Sequence, residues 1–168
     1  MFLLSLIAAL SAEPAQTPRD LFGDLAGACY QADMPDKATD THCFTLSESG
    51  MLALDVHKVR DAAGAIVYEG VTAYHPEMGS GAAIWKQVAA GKVDNAGSGT
   101  VTFGYYNSLG DLMEGAAVRN GDEIDFNMQM PDGPISVAWK LTPDGYDVVA
   151  TSGTAHFHKI GPAPDGGL

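Results

Sequence analysis

The sequence predicts an all-β protein: an antiparallel up-and-down barrel of roughly eight to ten strands, with a short helix at its N-terminal end. Three observations carry that expectation. Apolar and polar residues alternate with period two, most cleanly where Ile124, Phe126, Met128 and Met130 share one parity against Asp125, Asn127 and Gln129. Ile135, Val137, Trp139 and Leu141 repeat the pattern against Ser136, Ala138 and Lys140. The links between segments carry hairpin chemistry, such as Asn120-Gly121 for a type I′ turn and Pro131-Asp132-Gly133 and Pro143-Asp144-Gly145 for a type I turn followed by a left-handed residue. Links this short permit only antiparallel neighbours, because a parallel crossover takes roughly a dozen residues or more.

The 168 residues open on MFLLSLIAAL, with an apolar run from Phe2 to Leu10 and small residues at Ala9 and Ser11. Residues 1–12 match the core and cleavage region of a secretory signal, although no Lys or Arg precedes the run. A buried first helix is the alternative. Residues 13–17 form a Pro-containing linker, and residues 18–160 a single domain. Thr17-Pro18-Arg19-Asp20 reads as a helix start: Thr17 is the N-cap, Pro18 the first helical residue, and Asp20 sits near the positive end of the dipole. Leu21, Phe22 and Leu25 form its buried side, and Gly27 ends it.

Beyond Gly27 the segments read as strands: Ala28–Ala32, Thr41–Ser47, Met51–Arg60, Ala65–Tyr74, Ala82–Ala89, Thr100–Asn107, Leu112–Arg119, Glu123–Met130, Ile135–Leu141 and Tyr146–His158. Closure into a barrel removes the exposed edges such a run of strands would otherwise present. A two-sheet sandwich needs longer crossing connections, and only Pro76 to Gly81 and Ala90 to Gly99 offer the length. Residues 161–168, rich in Gly and Pro, read as a disordered tail.

Composition narrows the partners. Nine Lys and Arg stand scattered against 21 Asp and Glu, a formal charge of −12, so the clustered positive charge that nucleic acid requires is missing. No apolar stretch reaches the roughly 18 residues of a spanning helix, so no integral membrane segment is expected after leader removal. Cys29 and Cys43 are the only two cysteines. In an oxidising compartment they read as a disulfide between hairpin arms, with the turn near Met34-Pro35-Asp36 and a contribution on the order of 3 kcal/mol. Two unpaired buried thiols are the alternative. The location that fits the leader is periplasmic or secreted.

No standard catalytic signature occurs: there is no G-x-S-x-G, H-E-x-x-H, P-loop or dinucleotide fingerprint, and Gly79-Ser80-Gly81 and Gly97-Ser98-Gly99 read as loops. Two constellations remain. The first is histidine on strands. Asp55 and His57 share a face, as do His156 and His158, since residues two apart on a strand point the same way. If they project inward with His42, Asp55 or Asp40 can orient an imidazole, and the group can hold a metal, a haem or a polar head group. If they project outward, His156 and His158 are simply solvated. The second constellation is aromatic: Tyr68, Tyr74, Phe103, Tyr105 and Trp139 are candidate walls of a ligand pocket.

A short N-terminal helix, a glycine entering the first strand and hairpin-linked strands resemble the calycin group, the lipocalin-like and fatty-acid-binding-like barrels, and secreted bacterial domains of unassigned function within it. Gly27-Ala28-Cys29 falls where lipocalins carry G-x-W, with Cys29 standing in place of the Trp. Thr39-Asp40-Thr41-His42-Cys43-Phe44, followed by Asp55-Val56-His57 and Tyr68-Glu69-Gly70, also looks like a pattern of uncharacterised envelope proteins, which implies no function. The expectation is an exported barrel that binds a small, partly apolar molecule, with Asp55 and His57 fixing its polar group. No catalytic residue and no cofactor is assigned. The alternatives are a metal- or haem-binding protein or enzyme using the strand histidines, His42, His156 and His158 among them, and a structural envelope module.

Overall fold

The structure, a computed structural model, describes residues 16–76, 100–130, 133–151 and 153–164. The candidate strand Ala82–Ala89, the two Gly-Ser-Gly loops and the leader lie outside them. Helix α1 is Pro18–Phe22, and its start follows the sequence: the Asp20 carboxylate accepts from the Thr17 backbone N–H at 2.7 Å while the Thr17 hydroxyl accepts from the Asp20 N–H, a reciprocal capping box. The strands are β1 (Ala28–Asp33), β2 (Thr39–Leu46), β3 (Ala53–Arg60), β4 (Ile66–Pro76), β5 (Val101–Asn107), β6 (Leu112–Asn120), β7 (Glu123–Met130), β8 (Gly133–Thr142), β9 (Gly145–Ala150) and β10 (Gly153–Pro162).

Each strand pairs antiparallel with its neighbours in sequence, and β10 returns to pair with β1, so ten strands close a barrel and the sandwich alternative falls. This architecture is compatible with a calycin-like barrel. Cys29 and Cys43 are directly opposite across β1 and β2 and are joined as a disulfide. Among the described residues no helix is long and apolar enough to cross a membrane.

One strand expectation is corrected. Tyr146–His158, read as a single strand, is two: β9 and β10 form a hairpin around Thr151, in which Ala150 pairs with Gly153. The side chains register the break, because Tyr146 is buried on an even position and Phe157 on an odd one. A continuous strand keeps one parity, so a turn must intervene. Gly153 supplies it with a φ of 139°, which a side chain would oppose. Strand β10 also runs on through Gly161 and Pro162, where the sequence places the start of the tail, and the Ala163 N–H bonds to the Gly27 carbonyl at 2.9 Å.

Helix α1 closes one end of the barrel. The Arg19 N–H bonds to the Gly50 carbonyl in the β2–β3 loop, and the Arg119 guanidinium on β6 donates to the Asp20 and Leu21 carbonyls and to the Asp24 carboxylate. Those carbonyls belong to the negative end of the short helix, where a cation is favourable. Leu21 and Phe22 are fully buried, worth roughly 1.5–3 kcal/mol each in removed apolar surface. The Phe22 ring lies 4.4 Å from that of Tyr74 and within about 6.5 Å of those of Phe44, Phe126 and Trp139. The opposite end, where the β1–β2, β3–β4, β5–β6, β7–β8 and β9–β10 turns gather, carries among the described residues only a single 3-10 turn, Pro35–Lys37, in the β1–β2 connection.

Candidate functional site

The polar cluster arises from the register between β2 and β3. On β2 the inward positions are Asp40, His42 and Phe44; on β3 they are Ala53, Asp55 and His57. His42 pairs with His57 and Phe44 with Asp55, so each carboxylate lies diagonal to the imidazole on the other strand. The His42 Nδ1–H donates to Asp55 Oδ2 at 2.7 Å, and His57 Nε2 lies 2.6 Å from Asp40 Oδ1. His42 Nε2 faces the same Asp40 oxygen at 3.7 Å. The two imidazole rings stack with centroids 4.3 Å apart and planes 20° from parallel.

These charges are deep in the barrel: Asp55 is 2% exposed, and Asp40 and His42 8% each. Burial pushes the His42 imidazole toward its neutral form, but the Asp55 carboxylate, by charge and hydrogen bond, and Asp40 behind it outweigh that and raise its pKa above the ordinary histidine value. Three atoms in the cluster lack what buried polar atoms normally have. Asp40 Oδ1 and His57 Nε2 touch, yet neither is aligned in a hydrogen bond with any described residue, and Asp55 Oδ1 has no partner there either.

From His57 a chain of polar groups runs toward the open end. The Tyr105 hydroxyl meets His57 Nδ1 at 3.4 Å and is hydrogen-bonded to the Tyr68 hydroxyl; Asn107 Nδ2 donates onward to Tyr68 and to Asp111 Oδ2 in the β5–β6 turn. Burial, then the bond to Tyr68, drives the Tyr105 pKa far up, so this phenol stays protonated. Its ring lies across Gly70 on β4: a Cβ there would stand 2.6 Å from the ring, so Gly70 is what lets Tyr105 reach Tyr68.

Beside the cluster lies a cavity of about 790 Å³, open at the end opposite α1. Asp40 and His42 form its polar wall. Met34, Trp139, Val148, Ala155 and Phe157 supply apolar surface. Of the seven residues the sequence proposes for ligand contact, Trp139 lines this cavity. Asp55 and His57 lie in the adjoining cluster, Tyr68 and Tyr105 in the polar chain, and Tyr74 and Phe103 in the aromatic core under α1. His156 and His158, on the parity of β10 opposite the buried Phe157, are exposed at the rim of this cavity. His156 donates from Nδ1 to Asp147 at 2.6 Å with its side chain 47% exposed, and His158 is exposed.

Sequence reasoning paired Asp55 with His57; the structure pairs Asp55 with His42 and Asp40 with His57. Parity put Asp55 and His57 on one shared face, but which face turns inward and the diagonal exchange are set by register and closure, which parity leaves open. The β9 and β10 contribution to the cavity was also hidden, because reading these two strands as one assigns Val148 and Phe157 to opposite faces. No protein-family model and no curated protein matches this chain.

Proposed function

We propose that this protein is an exported β-barrel that binds a small, partly apolar molecule in the open half of its interior. The observation that carries the reading is the open cavity of about 790 Å³, apolar on the β8, β9 and β10 side and polar at Asp40 and His42. Its size falls within the range of small-molecule pockets, and its few convergent polar groups are what fixes the orientation of a mostly apolar ligand. The ligand's apolar body lies against Trp139, Val148 and Phe157, and its hydrogen-bonding group meets Asp40 and His42. The Cys29–Cys43 bond supports export, since disulfides persist in oxidising compartments, in line with residues 1–12 acting as a leader.

Titration with a hydrophobic fluorescent probe tests this reading. Saturable binding at micromolar probe is expected, together with a tenfold or greater loss in Val148→Trp, which fills the cavity from its apolar β9 side. Non-saturable binding, or equal binding by Val148→Trp, overturns it.

A further inference from the structure

We infer that Asp40, His42 and His57 form a binding site for one divalent transition-metal ion of the zinc, iron(II), cobalt(II) or nickel(II) class. This goes beyond the cavity reading and stands without it. One ligand atom from each residue lies within 4.8 Å of the other two, with Asp40 Oδ1 at 2.6 Å from His57 Nε2 and 3.7 Å from His42 Nε2. Small adjustments of three side chains place one ion within bonding distance of all of them.

The surroundings set the imidazoles up as ligands. In the neutral imidazole, with His42 Nδ1–H committed to Asp55, Nε2 carries the lone pair; a carboxylate behind a histidine in this way fixes the tautomer and strengthens the donor. His57 repeats the arrangement with the Tyr105 hydroxyl on its Nδ1 side and Nε2 turned to the centre. Hydrogen bonds among protein groups do not satisfy the centre itself. Asp40 Oδ1 and His57 Nε2 are buried in contact without hydrogen-bond alignment, and a shared cation satisfies both at once.

The donor set selects the metal. Two imidazoles and one carboxylate favour borderline transition ions; magnesium and calcium call for oxygen ligands in larger number. Three protein ligands also leave coordination positions open. Asp40 and His42 line the cavity as well, so those positions face it, and an oxygen or nitrogen donor can enter there.

The test is titration of tag-free, chelator-treated protein with cobalt(II) and zinc(II) alone, read by calorimetry and by the cobalt visible spectrum. Expected are one ion per chain at micromolar or lower concentration and a visible band of low-symmetry nitrogen and oxygen coordination, both lost in His42→Gln and His57→Gln. Asp55→Asn, which leaves the three ligands in place, weakens binding by about 10- to 100-fold. His156→Ala leaves it unchanged. Near-UV circular dichroism verifies that each variant is folded, and Asp40→Asn replaces any histidine variant that is not. Failure to bind either ion at tens of micromolar overturns the inference, as does binding that survives in the folded ligand variants.

Discussion

The two halves of the barrel interior are built from the same strands and differ in almost everything else. Under α1 the inward residues are Phe44 on β2, Ala53 on β3, Tyr74 on β4 and Phe103 on β5, all buried and all in one core cluster with Phe22, Phe126 and Trp139. Two to six residues further toward the open end, the same faces carry His42 and Asp40, Asp55 and His57, Tyr68, and Tyr105 and Asn107. Period two is unbroken across the boundary; only the chemistry changes. One half therefore supplies the apolar burial that holds the barrel together, and the other spends desolvation on groups that bury poorly unless they have work to do.

The largest expected effect comes from the helix-closed half. Phe22→Ala removes the ring that meets Phe44, Tyr74, Phe126 and Trp139, and a cavity in that cluster is expected to cost about 3–5 kcal/mol by denaturant unfolding. A loss under 1 kcal/mol would mean that α1 is a lid and that the strands alone hold the core. In the open half, Asp55→Asn keeps the side-chain shape and replaces a charge-assisted bond to His42 by a neutral one, with an expected cost of about 1.5–3 kcal/mol. A stabilised Asp55→Asn protein would sharpen the contrast further, since the buried carboxylate would then be kept against stability.

The outer face gives the smallest effect and the control. His156 has its pKa raised by its hydrogen bond to Asp147, with Asp144 assisting, but it is largely exposed. A raised folded-state pKa means that the pair's contribution is complete below the ordinary histidine value of 6.5 and fades as pH rises through the higher folded value. Solvent screening holds it to about half a kcal/mol or less. Unfolding midpoints of the native protein and His156→Ala from pH 5 to pH 9 should differ slightly at the acid end and converge at the alkaline end; a difference that grows with pH would refute the assignment.

Much of the fold was legible because its determinants are local. The Thr17–Asp20 capping box, the β6–β7 hairpin and the alternation along β7 and β8 act over a few residues, and short links left antiparallel pairing as the sole option, although the turn falls at Gly121-Asp122, one residue on from the expected Asn120-Gly121, with only Gly121 at positive φ. The β9–β10 turn was not legible. Thr151-Ser152-Gly153 lacks the Asn-Gly or Pro-Asp-Gly signature found at the β6–β7, β7–β8 and β8–β9 links, and the change of parity between Tyr146 and Phe157 was a further local sign of it. For the site, the sequence singled out the histidines and aspartates and found that Asp55 and His57 share a face, yet it left open which aspartate serves which imidazole.

What the sequence determined by itself is the all-β class, the strands up to β8 among the described residues, their antiparallel order and the pairs of residues that share a face, because turn chemistry and side-chain alternation are properties of neighbouring residues. What the tertiary structure decided is which face turns inward, that Asp55 serves His42 while Asp40 serves His57, and that Val148 and Phe157 reach the cavity. Those depend on inter-strand register and on closure of β10 against β1. Both are fixed by the total apolar surface buried around the ring, a quantity no short segment contains.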